Sequence, residues 1–302
     1  MGFCFLFIAL AFGVVKAYCG KRASFAASSP YDAVLINTFR MLCCVLIAFV
    51  ISLFGNAASI FCVSPKIILI CLISGIAMAG FTVSWLLSVR SMAYMLVEVF
   101  VMGGTIIPLV LCALFYQEQI RGIQIFGIVL LVVAAYCICA CKKTGKIHLT
   151  AKSFISLLLC ALSSGMCDFT QKLYVKEIVD ASPSLFNFYS YVFALAVLLI
   201  ACPIFKPRGK PEMMKGPLAT VKPVFHYVII MAICLFFNAY FKTNAAKHVD
   251  AAILYPVYQG FSVILSYAMA LLLFKEKISV KGTIGVALSI IAMIMINFAS
   301  IV

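Results

Sequence analysis

The sequence predicts an all-α polytopic membrane protein with ten transmembrane helices arranged as two inverted five-helix repeats. Of its 302 residues, 66% are hydrophobic and only 11% are charged, whereas a soluble domain carries about 25% charged residues. The apolar residues form runs of the length that crosses a bilayer, which is roughly 20 residues. In addition, the two halves of the chain share sequence similarity, which indicates a repeated unit.

The ten predicted spans follow the apolar runs, and we number them span 1 to span 10. They cover residues 2–20, 33–54, 67–88, 93–115, 121–140, 152–173, 185–205, 225–245, 250–273 and 281–301. Span 1 has no preceding basic residue and no clear cleavage site, so we interpret it as a retained helix rather than a signal peptide. Ten spans joined by short loops leave no room for a sizeable soluble domain.

The basic residues explain the net charge of +14 without a nucleic-acid partner, because they lie in short loops between apolar runs. About fifteen lie on one predicted side of the membrane, and residues 206–223 alone hold five. The other side has only Lys66, Arg121, Lys172, Lys176 and Lys247. Basic loops are typically cytoplasmic, so the bias predicts that both termini lie outside the cytoplasm.

The fourteen cysteines indicate neither a disulfide framework nor a metal site. Most lie inside apolar runs, where a thiol acts as a small hydrophobic group. Cys137, Cys139 and Cys141 form a C-x-C-x-C run, but helical neighbours two apart point about 200° away from each other and cannot hold one metal ion. We expect no metal and no cofactor.

The repeat is most visible in residues 113–130, ALFYQEQIRGIQIFGIVL, and residues 271–288, LLLFKEKISVKGTIGVAL. At a shift of 158 positions they share the pairs Glu118 and Glu276, Ile120 and Ile278, and Gly127 and Gly285. Each unit has an odd number of spans, so the second unit enters the membrane from the opposite side. The predicted repeats are residues 1–145 and 146–302, an arrangement typical of secondary transporters.

These segments also carry a family resemblance, together with the small residues and prolines of spans 4 and 9, which are Gly103, Gly104, Pro108, Pro256 and Gly260. Over almost its full length the chain resembles the drug/metabolite transporter superfamily, specifically its ten-helix EamA-type members. The resemblance implies transport of small organic solutes such as amino acids, metabolites or drugs. Members usually have both termini in the cytoplasm, opposite to the charge bias, so both orientations stay open here.

Ionisable side chains inside spans are candidates for function, because each costs about 2.5–3.5 kcal/mol at a helix centre. Asp168 in span 6 is the first candidate, since a buried carboxylate can take a proton from one side and release it on the other. The resemblance implies a carboxylate at this depth in the first helix of related small multidrug transporters. Span 1 has Lys16 there instead, which argues against simple polycation export. The alternative for Asp168 is a structural pair with Lys172.

The other charged candidates inside the spans are Glu98, Arg40 and Lys242. Glu98 either lines a cavity or pairs with Arg90 and reaches the interface. Arg40 is expected to form a structural ion pair, and Lys242 to extend towards the interface. Trp85 is interpreted as an interfacial anchor.

Polar groups of spans 8 and 9 complete the predicted site. We predict Asn238, Tyr255 and Gln259 as substrate contacts, because Pro256 frees a backbone carbonyl that is tolerated where it lines a cavity. Helix–helix packing is the alternative explanation of these residues.

The expected function is a secondary transporter of the plasma membrane that moves a small organic solute by alternating access, with proton coupling as one mode. The chain has no HExxH, GxSxG or P-loop motif, so we expect neither an enzyme nor an ATP-driven pump. Its partners would be the solute and membrane lipids, with the chain acting as a monomer or weak dimer. The alternative is a membrane-embedded lipid-processing or lipid-carrier-flipping protein.

Overall fold

The computed structural model describes residues 1–54, 63–92, 94–117, 122–139, 151–178, 182–206, 217–275 and 280–298. These ranges are helical and contain no strand. Eight helices in the described part are long and apolar enough to cross a membrane by length and composition, and Gly282–Ala292 is a shorter apolar stretch. The predicted all-α polytopic membrane fold is confirmed.

Each predicted span corresponds to one helix or to a pair of consecutive helices. The helices are α1 (Gly2–Ser24), α2 (Pro30–Phe54), α3 (Pro65–Ser91), α4 (Tyr94–Gly103), α5 (Ile106–Tyr116), α6 (Gly122–Cys139), α7 (Ala151–Glu177), α8 (Pro183–Phe205), α9 (Pro217–Val221), α10 (Phe225–His248), α11 (Ala251–Leu272) and α12 (Val280–Phe298). A short 3₁₀ turn, Lys222–Val224, joins α9 to α10. Large apolar side chains such as Leu46, Phe126 and Ile204 are exposed on the bundle, as a lipid-facing surface requires.

A Ser-Pro pair begins the second helix of each half, Ser29-Pro30 at α2 and Ser182-Pro183 at α8. Pro183 lies in the first turn of α8, where its missing N–H is not needed, and the hydroxyl of Ser182 accepts a hydrogen bond from the Leu185 amide at 3.5 Å. At α2, the Asp32 amide donates to the Ser29 hydroxyl and the Ser29 amide donates to the Asp32 carboxylate, which forms a reciprocal cap.

Span 4 is interrupted, although the sequence predicts one continuous helix. It divides into α4 and α5 at Gly104 and Thr105. Pro108 has no amide hydrogen to donate to the carbonyl of Gly104, which instead accepts from the Ile107 amide at 3.0 Å. Gly104 also lies against the backbone of α7, so closely that a Cβ atom there would collide with the carbonyl oxygen of Ala161. A glycine is therefore required at the interruption.

The helix contacts of residues 1–145 recur when each helix is compared with the helix at the same place in residues 146–302. Helix α1, the first helix of the first half, packs on α10. Helix α7, the first helix of the second half, packs on α3 in the equivalent way. Helix α2 packs on α8 and α6 on α12, so each of these pairs joins equivalent helices of the two halves. As a consequence, α1, α3, α7 and α10 meet in the centre of the bundle.

Candidate functional site

A cavity of about 120 Å³ lies at the centre of the bundle. Eight helices contribute to its wall, namely α1, α2, α3, α4, α7, α8, α10 and α11. Five charged side chains line it, which are Lys16, Arg40, Glu98, Asp168 and Lys242. Asn238 and Gln259 also line it, so the structure brings five of the six residues predicted as a site, all but Tyr255, to one place.

Asp168 and Lys242 form a buried ion pair between α7 and α10. The Lys242 ammonium donates to the Asp168 Oδ1 atom at 2.5 Å. It also lies over the rings of Tyr258 and Tyr255, 4.8 and 5.5 Å from their centroids. The expectation that Lys242 extends to the interface is wrong, because a carboxylate and two aromatic faces stabilise its charge inside the bundle.

Lys172 does not pair with Asp168, which was the alternative from the sequence. Its ammonium donates to the carbonyl oxygens of Ala246 and Val249, at 3.0 and 2.7 Å, where α10 ends. The last carbonyls of a helix have no intrahelical partner, so a buried lysine can satisfy them. Lys21 has the same role at the end of α3, donating to the carbonyl oxygen of Val89 at 2.7 Å.

Glu98 lines the cavity and does not pair with the exposed Arg90. Its Oε1 atom accepts a hydrogen bond from the Trp85 indole N–H at 3.0 Å. The Trp85 ring is buried in the wall against α1, where a Cβ atom at Gly20 would lie only 2.6 Å from it. The prediction of Trp85 as an interfacial anchor is therefore wrong, because the ring fills the space that Gly20 leaves and supplies the donor for Glu98.

Lys16 and Arg40 are the two cations of the wall that form no ion pair with a carboxylate among the described residues. Arg40 is 3% exposed, and its Nε atom has no hydrogen-bond partner in the described part of the chain. The ion pair predicted for Arg40 is not present among the described residues, since the ion pairs found there join Lys66 to Glu177 and Lys242 to Asp168. Lys16 lines the same cavity as Glu98 and Asp168.

The polar residues of α10 and α11 separate into two groups. Asn238 donates to the carbonyl oxygen of Ala9 and to the Tyr258 hydroxyl, both at 2.6 Å, so its amide links α10 to α1 and α11. Gln259 lies in the wall beside Tyr258. Tyr255 is completely buried in an apolar cluster and is not part of the wall. Tyr258, which the sequence prediction did not include, lies there instead.

The sequence prediction also missed polar residues of α7 and α8 that line the cavity, Gln171, Asn187 and Ser190. Within the described ranges, five buried polar atoms in the cavity wall have no hydrogen-bond partner, namely Arg40 Nε, Asn187 Nδ2, Ser190 Oγ, Asp168 Oδ2 and Gln171 Oε1. The spacing of Asn187 and Ser190, three residues apart and so on one face of α8, was the available signal.

Some residues singled out in the sequence lie outside the described ranges. These are Glu118 and Glu276 of the repeat, and Cys141 of the cysteine run. Among the described residues, no three His, Cys, Asp or Glu side chains are grouped so that they could hold a metal ion.

A comparison with known protein families found a match to the second half of the chain. Residues 151–298 match the EamA-like transporter family. The match confirms, over these residues, the resemblance to the drug/metabolite transporter superfamily that the sequence motifs carry. Members of the matched family are transporters rather than enzymes. A comparison with curated proteins found no match.

Solved structures show the same fold. Twenty-eight chains match, and one of them, titled "Crystal structure of protein", covers 99% of this chain and 96% of its own length. Its TM-score is 0.65 at 12% sequence identity. At this identity the likeness extends to the fold and not to the solute.

Proposed function

We propose that this protein is a secondary transporter that carries a small organic solute across the plasma membrane by alternating access. The observation that carries the proposal is the central cavity, whose wall contains five charged side chains at membrane depth. Such residues are costly in a bilayer, and they typically mark the path of a solute or ion. The match to the EamA-like transporter family supports the same conclusion.

The helix contacts of the first half have equivalents in the second half, which supports alternating access as the mechanism. We take residues 1–145 and 146–302 as inverted repeats, because α1 on α10 and α7 on α3 are equivalent interfaces. A shift that loosens one interface and tightens the other would convert a cavity open to one side into its mirror arrangement. The two near-equal shapes required for alternating access follow from this symmetry.

Two carboxyl groups of the wall are candidates for proton coupling. A proton on Asp168 would neutralise the partner of Lys242, and a proton on Glu98 would change its hydrogen bond with Trp85. Either event alters the charge that the solute meets in the cavity. Coupling through Asp168 is the more direct of the two, because the released ammonium of Lys242 would itself become available to a solute.

The protein would act without a cofactor, as a monomer or weak dimer among membrane lipids, and it would catalyse no reaction. The charge bias of the loops favours termini outside the cytoplasm. A tag at the C-terminus, tested for accessibility in intact cells, would establish the orientation, and a protected tag would support the orientation usual in the family.

The decisive test is solute flux in proteoliposomes, measured with labelled amino acids, metabolites and dyes, with and without a pH gradient. We expect counterflow of at least one solute, and we expect Asp168→Asn to abolish the part of the flux that a pH gradient drives. Glu98→Gln tests the second carboxyl group, and the exposed carboxyl of Glu177 provides a matched control as Glu177→Gln. Lipid scrambling without any solute flux would contradict the proposal and favour the lipid-flipping alternative.

A further inference from the structure

The charges of the cavity wall do not balance. Three cations and two carboxylates line it, and Lys242 and Asp168 neutralise each other as an ion pair. The remaining charges of the wall are the two cations Lys16 and Arg40 and the single carboxylate of Glu98. Because a buried charge without a counter-charge is strongly unfavourable, a ligand with one negative charge would balance the charges of the wall.

The burial, hydrogen-bonding capacity and position of Arg40 suit it to bind an acidic group. Its guanidinium is almost completely buried, its Nε atom has no partner among the described residues, and it lines the cavity. A guanidinium offers several N–H donors in a planar fork that matches the two oxygens of a carboxylate. Lys16 lines the same cavity, so an acidic group bound at Arg40 also lies in the field of the Lys16 ammonium.

Neutral donors of α8 add to the same part of the wall. Asn187 Nδ2 and Ser190 Oγ are buried without a hydrogen-bond partner in the described ranges, and both residues line the cavity. Helix α8 packs on α2, the helix that carries Arg40. Acidic oxygens accept hydrogen bonds, so one group can satisfy these donors together with the guanidinium.

The buried atoms without partners on α7 have the opposite character. Asp168 Oδ2 and Gln171 Oε1 are both acceptors, and both residues line the cavity. Among the described residues, the donors of the wall without partners therefore lie on α2 and α8, and the acceptors without partners lie on α7.

We infer that the transported solute carries an acidic group of the carboxylate class, which binds Arg40 and Lys16 and accepts hydrogen bonds from Asn187 and Ser190. The inference rests on the proposed function, since it takes the cavity as the transport path. A donor group at the other end of the solute, such as an ammonium or hydroxyl, would face Asp168 and Gln171.

The test compares acids with their amides, which have nearly the same size but lack the negative charge and one acceptor oxygen. Purified protein in lipid nanodiscs is titrated with lactate, succinate and alanine, and with lactamide, succinamide and alaninamide. We expect at least one acid to bind tenfold or more tightly than its amide, and the same acid to show counterflow in proteoliposomes. Binding of alanine alone would indicate that Asp168 and Gln171 hold an ammonium. Binding of lactate would indicate a hydroxyl at this position, and binding of succinate a protonated carboxyl group.

Variants assign the acidic group to its partners. Arg40→Gln and Lys16→Gln should each weaken binding of the acid at least tenfold, and Arg40→Lys should restore part of the loss. Ser190→Ala, which removes only one hydroxyl, gives a smaller loss and serves where the Arg40 variants do not fold. Lys66→Gln, a cation exposed at the surface, is the matched control and should leave binding unchanged.

The outcomes separate the inference from the function on which it rests. Equal or tighter binding of the amides, or unchanged affinity in Arg40→Gln and Lys16→Gln, overturns the inference while solute flux leaves the transporter proposal standing. If no acid, amide or other labelled solute crosses the membrane, the transporter proposal itself fails.

Discussion

The two halves of the chain contribute equivalent helices to the cavity wall, but their charged side chains are paired differently. In the second half, α7 and α10 supply Asp168 and Lys242, which neutralise each other at 2.5 Å. In the first half, α1 supplies Lys16, which has no carboxylate partner among the described residues, and α3 supplies the neutral Trp85, which donates to Glu98. At this depth the second half therefore has a neutral pair, whereas Lys16 of the first half has no carboxylate partner in the described part of the chain.

The two halves agree where a structural role is at stake. Lys21 of α1 and Lys172 of α7 both donate to the carbonyls that end the helix packed against them. These carbonyls need a donor in both halves, because every helix leaves its last carbonyls without an intrahelical partner. The difference between the halves in how their charged side chains are paired is therefore confined to the depth of the cavity.

The largest effect is expected from breaking the neutral pair of the second half. Lys242→Met leaves the buried Asp168 carboxylate without its partner, which should destabilise the protein by about 3–5 kcal/mol. Thermal unfolding in nanodiscs measures the loss. The double variant Asp168→Asn with Lys242→Met removes both charges and should be more stable than the single variant. A single variant at least as stable as the double variant would contradict the assigned pair.

The next effect tests the first half at Glu98. Trp85→Phe removes the indole donor, and loss of a hydrogen bond to a carboxylate should cost about 1.5–3 kcal/mol. The control is the same substitution in a Glu98→Leu background, where no carboxylate is left to lose its donor. Equal losses of unfolding free energy in both backgrounds would show that Trp85 acts through packing alone.

A third prediction concerns the interrupted helix of the first half, whose counterpart α11 runs continuously through Pro256. Gly104→Ala places a methyl group against the backbone of α7 and should lower stability by about 1–3 kcal/mol. Gly103→Ala is the matched control, since a Cβ atom there meets nothing within 4 Å. Similar melting temperatures for the two variants would mean that the close approach of α5 and α7 at Gly104 is not required.

The smallest effect is expected at the surface. Lys66 and Glu177 also form an ion pair at 2.5 Å, but the two side chains are 56% and 32% exposed. Exposed pairs contribute only about 0.2–1 kcal/mol, so Lys66→Met should barely change the unfolding transition, and high salt should remove the difference. A loss as large as that of Lys242→Met would contradict the view that burial decides the strength of these pairs.

Several features were predictable from the sequence for local reasons. Span positions follow from apolar runs, because a bilayer selects for hydropathy along about 20 consecutive residues. Helix starts at Ser29-Pro30 and Ser182-Pro183 follow from capping chemistry within one turn. The same local argument identified Lys16, Glu98 and Asp168 as costly residues in spans, and all three lie in the cavity wall.

The partners of those residues were not predictable in the same way. The alternative considered for Asp168 was a pair with Lys172 four residues away, yet its partner Lys242 is 74 residues away in the chain. Tyr255 and Tyr258 lie on one helix and look alike in sequence, but only Tyr258 lines the cavity. Which face of a helix turns inward depends on the helices that surround it.

The sequence alone determined that this protein is a bundle of membrane helices with charges at membrane depth, because hydropathy and capping act between residues that are close in the chain. Only the tertiary structure decided which of these charges neutralise each other in the described part of the chain. Ion pairing depends on distances of a few ångströms between atoms of different helices, and those distances are set when the helices pack.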